Sequence, residues 1–240
     1  MNLAGVDLAW QSERNPSSIA YGSLNHDVLM LNAVDPAVYG IDEVLGRLSA
    51  IDDLVGIAID APLMINNESG QRPCESAIGK TYGSRGASCH TSNTKRFPDA
   101  KSVYLSGQLS DREYTHLGKD RWQIECYPHP AIIEMFGMPE RLKYKKGRVA
   151  DKRAGQKQLA SLLRRLEESP VLPLRFDGYT QILDEVYIDS IGGQALKSNE
   201  DALDAIVCLY IAGLYACKAK GEVFGDGEAG YVWVPQVCCL

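Results

Sequence analysis

Residues 54–62 read LVGIAIDAP and residues 2–10 read NLAGVDLAW, two short apolar runs that each carry one aspartate near the end. Continuous apolar runs of this length mark strands buried on both faces, as in the middle of a sheet covered by helices. An isolated charge in such a run carries a large desolvation cost unless a partner or a cation meets it. Asp7 and Asp60 therefore stand where acids are expensive. The same holds for Glu125, inside RWQIECY (121–127), and for Asp204, inside ALDAIVCLYIAG (202–213).

Working outward, SIAYGSL (18–24) and DVLMLNAV (27–34) flank Asn25-His26 and predict two strands of a hairpin or meander. Residues 41–50 place Ile41, Val44, Leu45 and Leu48 on one helical face. The 54–62 strand stops at Pro62, and a strand over 121–127 stops at Pro128 and Pro130. Leu159, Leu162, Leu163 and Leu166 predict a helix over 149–168, followed by a shorter helix over 178–190. A long terminal helix is expected over 199–220, with Ser198 and Asp201 in capping-box spacing, and a closing strand over 231–234. This order predicts an α/β fold, a mixed β-sheet flanked by α-helices, as one domain over 1–240. The stretch 63–118, rich in Gly, Ser, Asn and Arg, reads as a long irregular insertion, and segments of that kind inside a domain are usually functional.

The chain has 240 residues, 45% of them hydrophobic and 23% charged, and no repeat or low-complexity tract. Its net charge of −6 excludes a global attraction to nucleic acid or anionic membrane, so polyanion binding would need a local basic patch. No apolar run approaches the roughly 20 residues that span a bilayer. The start MNLAGVDLAW lacks the pattern of a secretory signal, and the odd number of cysteines, seven, suits reduced thiols. A cytoplasmic protein without a membrane partner is the expectation.

Three or four carboxylates converging at strand ends repel one another, by about 4 kcal/mol per pair at ~4 Å and an effective dielectric near 20. Cations between them would resolve this, and an all-oxygen ligand set favours Mg²⁺ or Mn²⁺ over Zn²⁺. Asp201 lies three residues before Asp204 on the same helix and is either an auxiliary ligand or an ordinary first-turn charge. Each acid also has a plain reading: Asp7 or Asp60 could end a strand, Asp204 could face solvent, and Glu125 could pair with an arginine.

GVDLAW, IAIDAPL, QRPCE, IECYPHPA and NEDALDAIVCLYIAG, in this order, resemble domain-of-unknown-function family 429 along nearly the whole chain. Members of that family are regarded as predicted nucleases of ribonuclease H-like fold. The DALDA pattern also resembles the last acidic helix of bacterial Holliday-junction resolvases. The resemblance implies a ribonuclease H-like fold, with Asp7 as the first-strand aspartate, Asp60 as the fourth-strand acid and Asp204 as the helix aspartate. Glu125 matches that family's own fifth-strand motif.

Lys143, Lys145, Lys146, Arg148, Lys152, Arg153 and Lys157 crowd residues 143–157 against one acid, Asp151. Such a cluster could grip phosphates or be a solvated helix start. Lys145 and Lys146, with Arg72 and Arg85 from the irregular segment, are the candidate phosphate ligands. His129, four residues after Glu125, could orient water, bind phosphate, or simply be held in a turn by Pro128 and Pro130. Cys74, Cys89 and His90 do not complete a zinc spacing. Walker and dinucleotide glycine loops are absent. A phosphatase with a first-strand nucleophile would want an acid where Ala9 stands, and sugar-kinase-type phosphotransferases need two copies of the fold. The expectation is a Mg²⁺- or Mn²⁺-dependent nuclease acting on nucleic acid or nucleotide, with catalytic and metal-binding Asp7, Asp60, Glu125 and Asp204. The alternative is a non-catalytic nucleotide- or nucleic-acid-binding module of the same fold.

Overall fold

The chain was analysed as a computed structural model, which describes residues 1–11, 14–178 and 181–240. Three strands open it: β1 (Asn2–Asp7), β2 (Ser17–Asn25) and β3 (Val28–Val38). They form an antiparallel meander. The β2–β3 turn places His26 and Asp27 at φ 47° and 61°, the left-handed pair that a tight hairpin requires. Helix α1 (Ile41–Ser49) then returns the chain to β4 (Leu54–Asp60), which pairs parallel to β1.

Residues 63–118 are not the irregular insertion that their composition predicts. They hold α2 (Pro73–Tyr82), a 3₁₀ turn at Gly83–Arg85, α3 (Lys101–Ser110) and the short β5 (Thr115–His116). Small and polar residues hid the helices because their apolar stripes are narrow: Cys74, Ile78 and Tyr82 on α2, Leu105 and Leu109 on α3.

Strand β6 (Trp122–Glu125) adds parallel to β4. Pro128 and Pro130, expected to end a strand, instead open α4 (Pro128–Met135), where a missing N–H costs nothing. Helix α5 (Val149–Arg165) matches its leucine spacing, and β7 (Leu174–Phe176) pairs with β3. The helix expected over 178–190 includes Tyr179 and Thr180, which lie outside the described residues; beyond them come a 3₁₀ turn and α6 (Glu185–Ser190). Helix α7 runs from Gly193 to Ala216, so Ser198 and Asp201 lie inside it rather than capping it. The closing strand β9 (Gly230–Pro235) pairs with β8 (Gly221–Asp226) as a separate hairpin.

The main sheet has seven strands in the order β5-β6-β4-β1-β2-β3-β7, and most of its pairings are parallel. This mixed α/β arrangement is compatible with a ribonuclease H-like fold. Helix α7 covers one face of β1 and β2, and α1 and α3 cover the other. Gly5 sets the closeness of the first contact, because a Cβ there would collide with the α7 backbone at Ala205 and Leu209. Residues 199–214 of α7 are buried throughout, so the helix is apolar nearly all round apart from its acids. Among the described residues no helix is long and apolar enough to cross a membrane.

Candidate active site

Strands β1, β4 and β6 run parallel, so their last residues fall at one edge of the sheet. Ligand sites of α/β sheets form outside these carboxyl ends. Asp7 and Asp60 are directly opposed in register. Both are partly exposed and line a cleft of about 650 Å³. The close fit of α7 onto β1 brings two further acids to the same place from behind. Asp201 and Asp204, the latter fully buried, lie near enough to Asp7 to raise its pKa, and Asp204 raises that of Asp60 as well. Asp7, Asp60, Asp204 and Asp201 thus share one neighbourhood, although among the described residues no three of them surround a single point as metal ligands would.

The countercharge comes from a residue read in the sequence as a phosphate ligand. Lys145 Nζ lies 2.5 Å from Asp204 Oδ2, and the Tyr144 hydroxyl donates to Asp204 Oδ1 at 2.6 Å. Gly155 makes this approach possible: a Cβ there would collide with the backbone of Lys143 and Tyr144, so α5 presses the 143–145 segment directly toward α7. On α7, Lys197 holds Glu200 at 2.8 Å and Asp201 at 2.5 Å, the i,i+3 and i,i+4 neighbours that helical spacing alone would have revealed.

The charges do not balance. Asp7, Asp60, Glu200, Asp201 and Asp204 face two ammonium groups, Lys145 and Lys197. Burial, reinforced by the neighbouring acids, pushes Asp7 well above the usual carboxylate range and Asp60 up to about 7, with Lys145 opposing both shifts. Asp201 is raised for the same reason, against Lys197. Burial by itself would lower Lys145, but Asp204, Tyr144 and the two strand aspartates hold it firmly protonated. The donor set is all oxygen and carries excess acid, which fits a hard divalent cation. Among the described residues no three such side chains already surround one point, and the Lys145 ammonium is the cation in contact.

A prediction follows for the metal-free protein. The Asp60 carboxyl has a folded pKa near 7 against an ordinary value near 3.9, so the folded state holds its proton more tightly. Its contribution to stability is complete below about pH 4 and is lost as pH rises through about 7. Asp60→Asn removes that titration. The variant should gain stability relative to wild type between about pH 4 and pH 7, read as the difference in melting temperature in EDTA. His129 titrates in the opposite sense in both proteins and cancels in the difference. A pH-independent difference would contradict the assignment.

Glu125 does not join the cluster as a free ligand. Arg72 grips both its oxygens, Nη2 to Oε1 at 2.6 Å and Nη1 to Oε2 at 2.9 Å, and the Leu63 N–H donates to Oε2 at 2.9 Å. Arg72 also donates through Nε to Glu75 Oε1 at 2.8 Å and through Nη1 to the Met64 carbonyl at 3.0 Å. It is buried with four of its five guanidinium N–H groups engaged, so it is a structural clamp and not a phosphate ligand. The plain reading of Glu125, pairing with an arginine, is the one the geometry bears out. QRPCE marks only the Arg72–Glu75 half of this clamp, three apart at a helix start.

Arg85 is likewise spent, on Glu134 at 2.8 Å and on the carbonyls of Met138 and Pro139. Within the basic cluster, Arg153 bonds the Ile191 carbonyl, Lys157 pairs with Asp189, Arg148 with Asp151 and Lys143 with Glu140. Lys146 is exposed at the cleft wall and, among the described residues, has no carboxylate partner. His129 lines the same cleft from the first turn of α4. Trp10, Tyr127, His90 and Arg141 also line it; no sequence signal marked the first two or Arg141.

The sequence profile of a family described as "Protein of unknown function (DUF429)" matches residues 5–228. A comparison with curated proteins and one with solved structures each found no match.

Proposed function

The chain belongs to the DUF429 family, and we propose from its site that it is a metal-dependent phosphodiesterase acting on nucleic acid or nucleotide. One observation carries the reading: four aspartates from two parallel strands and one helix meet at the carboxyl edge of the sheet with more negative charge than the nearby lysines neutralise. Asp7 and Asp60, which face the cleft, would hold Mg²⁺ or Mn²⁺, with Asp204 and Asp201 behind them. Bound there, the cation would supply activation of water and stabilisation of the leaving oxygen.

The protein's own residues have definable tasks. Tyr144 fixes one oxygen of Asp204, leaving the other to Lys145. Lys197 fixes Asp201 beside Asp7. Lys145 limits repulsion among the acids until substrate and cation arrive. Lys146, at the cleft wall, meets the substrate phosphate. The seven free cysteines support a reducing, cytoplasmic setting for this activity.

A second reading rests on the same lysine. If Lys145 is a permanent countercharge, the cluster needs no metal and the chain is a binding module. Thermal denaturation with and without Mn²⁺, beside a cleavage assay on single-stranded, duplex, hybrid and branched substrates with an EDTA control, separates the two. The nuclease reading expects a melting temperature that climbs with Mn²⁺ concentration, and cleavage that EDTA abolishes. No Mn²⁺ stabilisation and no cleavage of any substrate would leave the binding module.

A further inference from the structure

His129 is more than nine-tenths buried, yet among the described residues nothing hydrogen-bonds its ring, and its buried Nδ1 has no partner. Buried polar groups are nearly always satisfied, and with Nδ1 sealed from solvent it is Nε2, which has no hydrogen-bond partner among the described residues, that is left to meet a ligand from the cleft. Its position is also unusual electrostatically. It stands in the first turn of α4, between Pro128 and Pro130, neither of which has an N–H to offer an anion. The charges of Lys145, Arg141, Lys146 and His90 all bear on it, and together with burial they hold it neutral, down to about 3. Of these, Arg141 and Lys146 have no carboxylate partner among the described residues, and both line the cleft that Asp7 and Asp60 face. Lys145, held by Asp204, and Tyr144, packed on the His129 ring at 5.5 Å, stand between the acids and His129.

Its size bears on the substrate. A volume of about 650 Å³ falls in the range of small-molecule sites, and residues 86–90 close it on one side. Two aromatic side chains, Trp10 and Tyr127, also line it. Trp10 is braced edge-on by Phe97 at 4.6 Å, and the Tyr127 hydroxyl is anchored on the Ser88 carbonyl at 3.1 Å. Held aromatic rings beside cationic groups are what an unstacked nucleotide uses. Two cations without a carboxylate partner, Arg141 and Lys146, line the cleft and suit the charge of about −1.5 to −2 on a phosphate monoester better than the single charge of a phosphodiester.

We propose that His129, Arg141, Lys146 and His90 form a subsite for a terminal phosphate group, so that the substrate presented to Asp7 and Asp60 is a nucleotide bearing a phosphomonoester. This deepens the phosphodiesterase reading and rests on it for the role of the two aspartates. The binding subsite itself can be tested without metal or turnover. The protein contains four histidines, so their ring resonances can be followed by NMR on the full chain in EDTA, with His129 assigned by its loss in His129→Gln.

A nucleoside 5′-monophosphate is expected to shift the His129 resonance, and the corresponding nucleoside to leave it in place. Arg141→Ala and the surface change Lys146→Ala should each weaken binding by about tenfold or more, the loss expected on deleting one charge-assisted hydrogen bond. A single-stranded oligonucleotide with a 5′-phosphate, compared with its dephosphorylated form, separates the two sources of the group. A preference for the phosphorylated strand assigns the subsite to strand ends. Binding of the mononucleotide but of neither strand assigns it to free nucleotides, which hold no phosphodiester, so the subsite stands and the phosphodiesterase reading falls. No shift with any ligand, or equal shifts with and without the phosphate, would overturn the subsite. If the phosphate binds as expected while Mn²⁺ supports no cleavage, the phosphodiesterase reading falls and the subsite stands.

Discussion

Replacing Arg72 by Ala is expected to destabilise the protein by about 3–5 kcal/mol, the cost of breaking a buried ion pair by deleting one partner. That is a large fraction of the roughly 5–15 kcal/mol that holds a domain folded. The effect arises because the Arg72, Glu75 and Glu125 side chains are all nearly inaccessible to solvent. Without the guanidinium, two carboxylates are left buried with only backbone N–H donors, from Leu63 to Glu125 and from Arg72 and Ser92 to Glu75. The clamp also ties the 63–72 loop to the end of β6, next to Asp60. Arg72→Lys should recover little, because an ammonium cannot make the two parallel bonds to Glu125 and still reach Glu75. Chemical denaturation read as the midpoint at unchanged slope is the measurement. A loss below about 1 kcal/mol would show the clamp to be dispensable. The companion change Glu125→Gln separates structure from ligation: it should lower stability and leave metal affinity nearly untouched.

The sequence disclosed the acids more readily than their partners, for a physical reason. An aspartate inside GVDLAW or GIAID stands out because desolvation makes it rare, whatever lies around it. Its partner can come from anywhere in the chain. Lys145 reads as one of many cations in a basic run, and only the packing of α5 at Gly155 against residues 143–144 turns it inward. Glu125 and Arg72 lie 53 residues apart, and nothing local to either announces the pair.

The strands of the meander and the helices α1 and α5 are legible because each carries one periodic apolar stripe, which α1 buries beside the sheet and α5 against α6 and α7. Helix α4 was hidden because Pro128 and Pro130 read as stops, although a first turn tolerates both. The start of α7 was misplaced because its first residues, Gly193 to Lys197, carry little apolar pattern; burial of the helix begins in earnest only at Asn199. The helices of residues 73–110 escaped notice because α2 and α3 expose small and polar faces.

Asp7→Asn is expected to abolish turnover while leaving the fold intact. Asp7 ends β1, at the middle of the sheet, in register with Asp60 and within electrostatic reach of Asp201 and Asp204 from α7, so it stands between the two groups of acids that would share the cation. Asn keeps the shape and the hydrogen-bonding capacity and deletes only the charge. Loss of one preorganised electrostatic partner commonly costs about 10²–10³ in rate, and a residue common to both groups should lie at or beyond the upper end. Stability should move the other way. Burial first, and then the charges of Asp204, Asp60 and Asp201, hold the Asp7 carboxyl far above its ordinary range. Near pH 7 wild type must therefore either keep that proton or bear the repulsion, and the amide does neither. In EDTA the variant should melt at a higher temperature than wild type, and its stabilisation by Mn²⁺ should shrink. The opposed signs make the test sharp, since a variant that merely misfolds loses activity and stability together. Turnover equal to wild type would remove Asp7 from the chemistry, and with it the metal-dependent reading of this site.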